Sequence, residues 1–400
     1  MPQKNITHEI IQKESDYVLH TYPRLPFVLC RGKGAYLFDT EGNQYLDFGS
    51  GIAVTALGHS DEDVVRAIQQ QVQKLSHVSN LYHTVPQAEL AEKLCQLSFA
   101  DKVFFSNSGA EALEASLKFA RKYGKVKFGE GKIKIVAFSN GFHGRTFGAL
   151  SITDREKYQA PFRPLLPDVE ILPFNDIKAA QKAIDVNTCA VVVEVIQGEG
   201  GINLASKEFL MALREICTQQ AALLIMDEIQ TGFGRTGKLW AYQNYDIQPD
   251  MMALAKAMGG GLPIGATLLT SDVAETINAG DHGSTFGGGP VAASAALVVL
   301  ERTQTSGMLN HVQKLGTYLS QELNALDLPQ IVEIRSVGLM VGIELNTAAE
   351  PFYKKAHEYG ILLLTAGPNI IRLLPPLTVT KAEIDQFIQA FSHLLREETA

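Results

Sequence analysis

Apolar positions along the chain follow two periods. Val64, Val65, Ile68, Val72 and Leu75 recur at the three- and four-residue spacing of one helix face, and Leu90, Leu94 and Leu97 mark another. Ser60 followed by Asp63 gives the first of these helices a capping-box start. Short runs rich in β-branched or aromatic residues read as buried strands: 103-VFF-105, 133-IKIVAF-138, 190-AVVVEV-195, 222-ALLIM-226 and 266-ATLLT-270. Helical stretches such as 206-SKEFLMALREICTQQ-220 lie between them. Strands alternating with helices predict an α/β fold with a mostly parallel sheet. The last hundred residues differ. Strand candidates 339-LMVGIEL-345, 361-ILLL-364 and 370-IIRLL-374 cluster between helices near 308–325 and 381–396, which predicts a smaller α+β domain. The hairpin-like stretch 35-AYLFDTEGNQYLDF-48, with a turn at Glu41–Asn43, is expected in the same peripheral layer.

Composition narrows the class of function. Of 400 residues, 46% are hydrophobic and 20% charged, the balance of a globular chain with a large core, which excludes disorder. Lys plus Arg is 35 against 43 for Asp plus Glu, a net charge of −8 that argues against nucleic-acid binding by bulk charge. The longest apolar runs, such as 221-AALLIM-226, are too short to cross a bilayer. Residues 1–20 show neither an apolar core segment nor a cleavage site, so a cytoplasmic protein is expected, with no membrane partner. Cys30, Cys95, Cys189 and Cys217 form no C-x-x-C pair, and the ten His residues show no ligand spacing. Buried reduced thiols and no metal are therefore expected.

The 34 glycines are the one compositional hint of chemistry, because many sit in clusters. The first cluster, 106-SNSGAEA-112, follows a strand. Ser108 and Glu111 form a capping box, and Gly109 and Ala110 open the helix with almost no side chain, a ready anion site. The second, 232-GFGRTGK-238, imitates nucleotide-binding loops. As a Rossmann fingerprint it fails because Asp227 and Glu228 intervene after the strand, and as a Walker A loop because Leu239 follows Lys238. Asp227 ends an apolar strand, where ligands of open α/β sheets bind. Lys256 ends the apolar run 251-MMALAK-256 just before three glycines, and apolar surroundings lower an amine's pKa and make it nucleophilic. The last cluster, 282-HGSTFGGGP-290, carries the hydroxyls of Ser284 and Thr285. One ligand satisfies all of these: a phosphate for Ser108–Ala110 and Thr285, a protonated ring nitrogen for Asp227 and an aldehyde for Lys256. Pyridoxal phosphate has all three.

The chain resembles the class III aminotransferases of PLP fold type I. The resemblance rests on 106-SNSGAEA-112, 141-GFHGRTFGAL-150, 194-EVIQGEGG-201, 227-DEIQTGFGRTG-237, 254-LAKAMGGGLPIGA-266, 282-HGSTFGG-288, 338-GLMVGIEL-345 and 372-RLLPPL-377, and it runs from about Tyr22 to the C-terminus. It implies a large domain (59–290) with a seven-stranded, mostly parallel sheet, and a smaller domain built from segments 1–58 and 291–400. Lys256 would bond to the cofactor aldehyde and shuttle the proton. Asp227 would pair with the ring nitrogen, Gln230 with the ring hydroxyl, and Phe142 would stack on the ring. Glu228 and Ile229 are expected beside them. Ser108, Gly109 and Ala110 would hold the phosphate. Thr285 would reach the phosphate of a neighbouring subunit's cofactor, which implies a homodimer with composite sites. Val195, Gly289 and Asp61 depart from the family pattern.

The resemblance also implies two arginines at two distances from the cofactor, since guanidinium binds carboxylate in bidentate fashion. Arg145 would hold the distal carboxylate and Arg372 the α-carboxylate of glutamate. Glu199 would pair with Arg372 when the other substrate is bound. Ser284 and Tyr22 are further candidates for the distal end. Ile52 stands where family members that act on ornithine carry a tyrosine, which favours a neutral acylated amine over a charged one. The expected reaction moves the terminal amino group of N2-acetylornithine to 2-oxoglutarate. Succinylornithine, succinyl-diaminopimelate, ornithine and 4-aminobutyrate remain alternatives. A phosphate- or nucleotide-binding module using Gly232–Lys238 is the alternative from another class.

Overall fold

In the computed structural model, which describes residues 6–397, the strand runs assemble into three sheets and a short ribbon. β1 (Leu29–Lys33), β2 (Tyr36–Asp39) and β3 (Gln44–Asp47) form an antiparallel meander. The β2–β3 turn is the one expected at Glu41–Asn43. There the Asp39 carboxylate accepts the N–H groups of Glu41 at 2.9 Å and Asn43 at 2.8 Å, and Gly42 takes a φ of +91°.

The main sheet begins with β4 (Lys102–Ser106), β5 (Lys134–Phe138), β6 (Val169–Leu172) and β7 (Thr188–Val193). A ribbon of β8 (Ile196–Gln197) and β9 (Asn203–Leu204) follows, and then β10 (Leu223–Asp227), β11 (Met251–Leu254) and β12 (Gly265–Leu269) complete the sheet. Its order is β4-β12-β11-β10-β7-β5-β6, and β12 is antiparallel to both neighbours while the pairings from β11 to β6 are parallel. The expected seven-stranded, mostly parallel sheet is what forms. Successive residues of β10 enter opposite apolar clusters, Leu224 and Met226 on one face and Leu223 and Ile225 on the other. Both faces are covered, so these strands read as continuous apolar runs.

The C-terminal strands are β13 (Ile331–Val337), β14 (Met340–Leu345), β15 (Ile361–Leu362), β16 (Leu364–Thr365) and β17 (Ile370–Leu373). Four of them form an antiparallel sheet in the order β13-β14-β17-β16. β15 leaves it and pairs in parallel with β3, so the run 361-ILLL-364 divides between two sheets. This pairing joins the two ends of the described chain. Phe48, stacked on Phe387 at 3.9 Å between ring centroids, seals the same junction.

Helix ends show where local rules hold and where they shift. The helix Glu62–Lys74 is capped by Asp61 and not by Ser60. Asp61 accepts from the N–H groups of Asp63 and Val64 and also faces Arg302, while Ser60 adopts a φ of +53°. The helix Gly109–Phe128 starts at Ser108 and stops at Gly129, with Lys125 and Lys127 in its last turn. The helix Pro290–Thr303 packs against Glu62–Lys74 and Val85–Gln96. Cys189 and Cys217 are buried as expected, but Cys30 is exposed and Cys95 partly so. No helix among the described residues is long and apolar enough to cross a membrane.

β12 reaches the end of β4 only because Gly265 lacks a side chain. A Cβ there would lie 2.4 Å from the Ser108 carbonyl oxygen and 2.7 Å from the Ser106 hydroxyl. Gly265→Ala is expected to push the two strands apart and to lower the melting temperature by about 2–8 °C, the shift that follows from overpacking of about 1–3 kcal/mol. Thermal unfolding of the variant beside the parent checks this.

Candidate active site

A cavity of about 490 Å³ opens beyond the carboxyl ends of β4, β5, β7, β10 and β11. Because β12 runs the other way, it brings its amino end here, and Pro263 and Ile264 line the same space. Parallel strands converge their last residues, so each strand delivers its chemistry to one place.

β4 delivers Asn107, Ser108, Gly109 and Ala110. The Ser108 hydroxyl accepts the Glu111 N–H at 3.2 Å, as the capping box requires. The return half differs from expectation, because the Glu111 carboxylate takes the N–H of Asn107 at 2.6 Å and its side-chain amide at 2.9 Å. Gly109 must be bare, since a Cβ would lie 2.8 Å from the Ile229 side chain, which supports the cradle from below. With Glu111 capped by Ser108, the N–H groups of Gly109 and Ala110, which line the cavity, remain available as anion donors.

β10 delivers Asp227, which is buried. Its carboxylate lies 2.8 Å from His143 Nδ1 and accepts the Ile229 N–H at 3.1 Å. Burial disfavours a charged His143, but the Asp227 carboxylate and the Glu194 carboxyl outweigh it and hold its pKa above the ordinary value. β7 delivers Glu194, whose carboxyl accepts the N–H groups of Phe142 at 3.0 Å and Gly198 at 3.2 Å. Phe142 lines the cavity, and the Arg145 guanidinium stacks on Tyr158 at 3.3 Å from its ring centroid.

β11 leads into Lys256 through Ala255. Lys256 has a φ of +43°, a strained conformation for a side-chain-bearing residue, and Gly260 at +57° turns the chain back. Loss of solvation pulls the Lys256 amine below its ordinary pKa. Arg372 acts in the same direction, while Glu199, Asp227 and Glu194 oppose it. The loop between β8 and β9 carries Glu199. Burial alone would raise its pKa, but Arg372 and Lys256 keep it below the usual carboxylate value. Arg372, on β17 and fully buried, gives its Nη1 to the Glu199 carboxylate, to the Gly198 carbonyl at 2.8 Å and to the Gln230 amide oxygen at 3.2 Å.

The matching family model is aminotransferase class-III, over residues 17–395. The chain belongs to the class-III aminotransferases. It is 48% identical over 391 residues to the mitochondrial acetylornithine aminotransferase of Alnus glutinosa, covering 96% of this chain and 87% of that protein. The ornithine aminotransferase of Toxoplasma gondii, a structure whose description records partial occupancy of PLP at its active site, matches with a TM-score of 0.94 at 31% identity, covering 98% of this chain and 96% of that one. The acetylornithine aminotransferase of Elizabethkingia anophelis matches with a TM-score of 0.88 at 33% identity, over 99% of this chain and all of that one, 100%. The PLP fold type I architecture expected from the resemblance is the one these structures share.

The cavity of this aminotransferase gathers Ser108, Gly109, Ala110, Phe142, Arg145, Glu199, Asp227, Ile229, Gln230 and Lys256. Other expected residues lie elsewhere. The Glu228 side chain turns away: it accepts from Thr231 at 2.6 Å, Ala241 at 2.9 Å and Tyr242 at 2.7 Å, so it holds a turn and is not open to a ligand. Tyr22 and Ile52 line an adjacent cavity, and Val54 takes the place at the Lys256 cavity. Ile52 is displaced because residues 50–53 form a left-handed turn, with φ values from +47° to +64°. Ser284 bonds to Asn107 at 3.1 Å and touches the site through it, while Thr285 is exposed. The loop Gly232–Gly237 is buried and offers no phosphate cradle. Among the described residues, no group of three or more His, Cys, Asp and Glu side chains is placed to hold a metal ion.

Sequence reasoning missed Glu194 and His143. Glu194 had a usable signal, because an acid directly follows β7 much as Asp227 closes β10, but the run 190–195 reads as unbroken strand. His143 had none beyond lying between Phe142 and Arg145. The Glu194 pKa is pushed up to about 7, mainly by burial; His143 and two N–H groups oppose the rise and Asp227 adds to it. A carboxyl raised in the folded state costs nothing below its unfolded value near 4.5 and destabilises increasingly as pH climbs to the folded value. Glu194→Gln removes that ionisation. Its melting temperature is expected to lie below the parent's at low pH, because the amide cannot accept both N–H groups, and to lack the parent's decline between pH 4.5 and about 7. Curves that run parallel through this window would show that Glu194 titrates normally.

Proposed function

We propose that this aminotransferase moves the δ-amino group of N2-acetylornithine to 2-oxoglutarate, giving N-acetylglutamate 5-semialdehyde and glutamate by a ping-pong mechanism, with pyridoxal phosphate as cofactor. The observation that carries this reading is the pairing of the buried Arg372 with the part-buried Glu199 at the edge of a cavity that also holds Lys256 and Arg145. The high identity to a protein named acetylornithine aminotransferase supports the substrate.

The residues fit the cofactor. The cradle at Ser108–Ala110 would hold the phosphate, and a Cβ at Gly109 would close the space that Ile229 already fills. Asp227, buried and aligned by His143, would hold the ring nitrogen, and Phe142 would cover the ring. Gln230 is expected to serve the ring hydroxyl from a position where it also touches Arg372 and Glu199. Bound there, pyridoxal phosphate supplies a reactive carbonyl and a ring that accepts the electron pair released at the substrate carbon.

The chain's own groups do the rest. Lys256, with its amine depressed by burial, takes and returns the proton at the amine-bearing carbon. Arg145 holds the carboxylate far from the reacting carbon, which is the α-carboxylate of acetylornithine or the γ-carboxylate of glutamate. Arg372 holds the α-carboxylate of glutamate. With acetylornithine bound, methylenes would face Arg372, and Glu199 keeps its charge paired. We also propose a cytoplasmic homodimer in which Thr285 reaches the neighbouring subunit's cofactor; the exposure of Thr285 and Phe286 beside Ser284 supports this. The division into domains at 1–58, 59–290 and 291–400 is part of the same reading, supported by the β3–β15 pairing. The helix Pro290–Thr303 packs on the helices Glu62–Lys74 and Val85–Gln96. Residues 1–5 and 398–400 of those segments lie outside the described residues.

Two measurements test the reading. Lys256→Ala is expected to abolish turnover and the visible absorbance of the purified protein; more than a trace of first-half transamination would remove Lys256 from its role. Half-transamination with acetylornithine, succinylornithine, succinyl-diaminopimelate, ornithine and 4-aminobutyrate, compared by kcat/KM, is expected to favour an acylated ornithine. Higher values for ornithine or 4-aminobutyrate than for both acylated ornithines would overturn the substrate assignment.

A further inference from the structure

Arg235 is a buried cation that the proposed chemistry does not use. It belongs to 232-GFGRTGK-238, the loop whose nucleotide-like pattern has no nucleotide site. Its side chain is 2% exposed, and among the described residues it forms no ion pair. Burial alone pulls its pKa down to about 9, so it keeps its charge at neutral pH. Its Nη1 donates to the carbonyl oxygens of Leu339 at 3.1 Å and Pro375 at 2.5 Å, and its Nη2 has no partner among the described residues. Its own carbonyl accepts the Leu339 N–H at 3.1 Å. Gly338 makes this two-way contact possible, because a Cβ there would lie 2.6 Å from the Arg235 carbonyl oxygen.

Such an arrangement is a poor way to gain stability. A desolvated guanidinium without a counter-ion costs free energy that an apolar residue of similar shape would not. What it offers is a fixed geometry. Leu339 precedes β14 and Pro375 follows β17, and these two strands pair with Arg372 opposite Gly342. Pro375 and Pro376 have no N–H, so the segment after Arg372 has few handles. Leu374 donates to the Phe48 carbonyl at 2.6 Å and Leu377 to the Ala56 carbonyl at 2.7 Å, and Arg235 holds the opposite side through the Pro375 carbonyl. The same loop carries Gln230, which contacts Arg372 directly.

We propose that Arg235 is a positioning residue for Arg372: it fixes the Pro375 carbonyl, just past β17, to the loop that carries Gln230, and so sets where the Arg372 guanidinium stands when a substrate carboxylate replaces Glu199. The inference rests on the reading of Arg372 as the site for the α-carboxylate of glutamate. It assigns Arg235 an effect confined to the glutamate half of the reaction, because the acylated substrate places no carboxylate on Arg372.

The test compares cofactor-loaded parent enzyme with Arg235→Met, Arg235→Lys and Arg372→Gln in the two half-reactions, with melting temperatures alongside. For both Arg235 variants the KM for glutamate is expected to rise about tenfold with kcat retained, while kcat/KM for acetylornithine stays within about twofold. Melting temperatures are expected to stay close to the parent's. Equal losses with both substrates, no loss with glutamate, or failure of both Arg235 variants to fold would assign Arg235 to stability alone and overturn the inference; should only Arg235→Met fail to fold, Arg235→Lys decides. Arg372→Gln separates the two layers. A selective loss with glutamate there, absent from the Arg235 variants, defeats the inference only, whereas no selective loss in Arg372→Gln defeats the reading of Arg372 and the inference with it.

Discussion

The carboxylate of Asp227 stands at the buried end of β10, 2.8 Å from His143 and close enough to Glu194 to oppose that acid's ionisation. Two acids cannot both be charged in a low-dielectric site without compensation. The structure resolves the conflict by giving Asp227 the histidine and an N–H, and by letting Glu194 drift toward neutrality. The other charges follow from this arrangement. Glu199 is held ionised by Arg372, and Lys256, which forms no ion pair among the described residues, is the group left with a depressed pKa. An amine intended to act as a nucleophile and base must be the member of the cluster without a tight carboxylate partner.

The backbone that delivers these groups is held by close approaches that only glycine permits. Gly265 lets β12 touch Ser108, Gly109 makes room for Ile229, and Gly338 lets the small sheet sit on the loop after β10. In each case the missing Cβ brings another part of the protein nearer. The glycines read as a hint of chemistry, and these three serve to close the backbone on itself. The 34 glycines therefore report the tightness of the scaffold as much as the presence of a cofactor.

Most of the main strands were legible because burial on both faces leaves mainly apolar residues in their middles. β11, with Met251 and Met252, has no β-branched residue, and Glu170 interrupts the apolar run of β6, so both depend on pairing with neighbours to be seen as strands. The meeting of Asp227, Lys256 and Ser108 at one cavity was legible because each is marked by residues adjacent in sequence: an apolar run, three glycines, a capping partner. Tyr22, Ile52 and the Glu228 side chain stand outside the Lys256 cavity because their directions are set by contacts along the chain or by a left-handed turn that composition does not announce. His143 and Arg235 escaped for the same reason. A buried charge is recognised by what surrounds it, and those surroundings come from segments up to 140 residues distant for Arg235.

The pairing of Arg372 with Glu199 has a geometry suited to exchange. Glu199, Gly198 and Gln230 all receive their contacts from Nη1, while Nε is buried with no acceptor among the described residues. A guanidinium bound at one nitrogen forgoes the two-point fit that carboxylates make with it. A buried donor left unpaired costs about 1–3 kcal/mol. In the proposed reaction, a substrate carboxylate that reached Nε together with a second nitrogen would recover that cost, which Glu199 does not from its present position. The resident acid can thus neutralise Arg372 while acetylornithine occupies the site and still yield to glutamate. The switch needs no large movement, since Glu199 lies on the short loop between β8 and β9, and its departure leaves Gln230 and the Gly198 carbonyl to keep Arg372 in place.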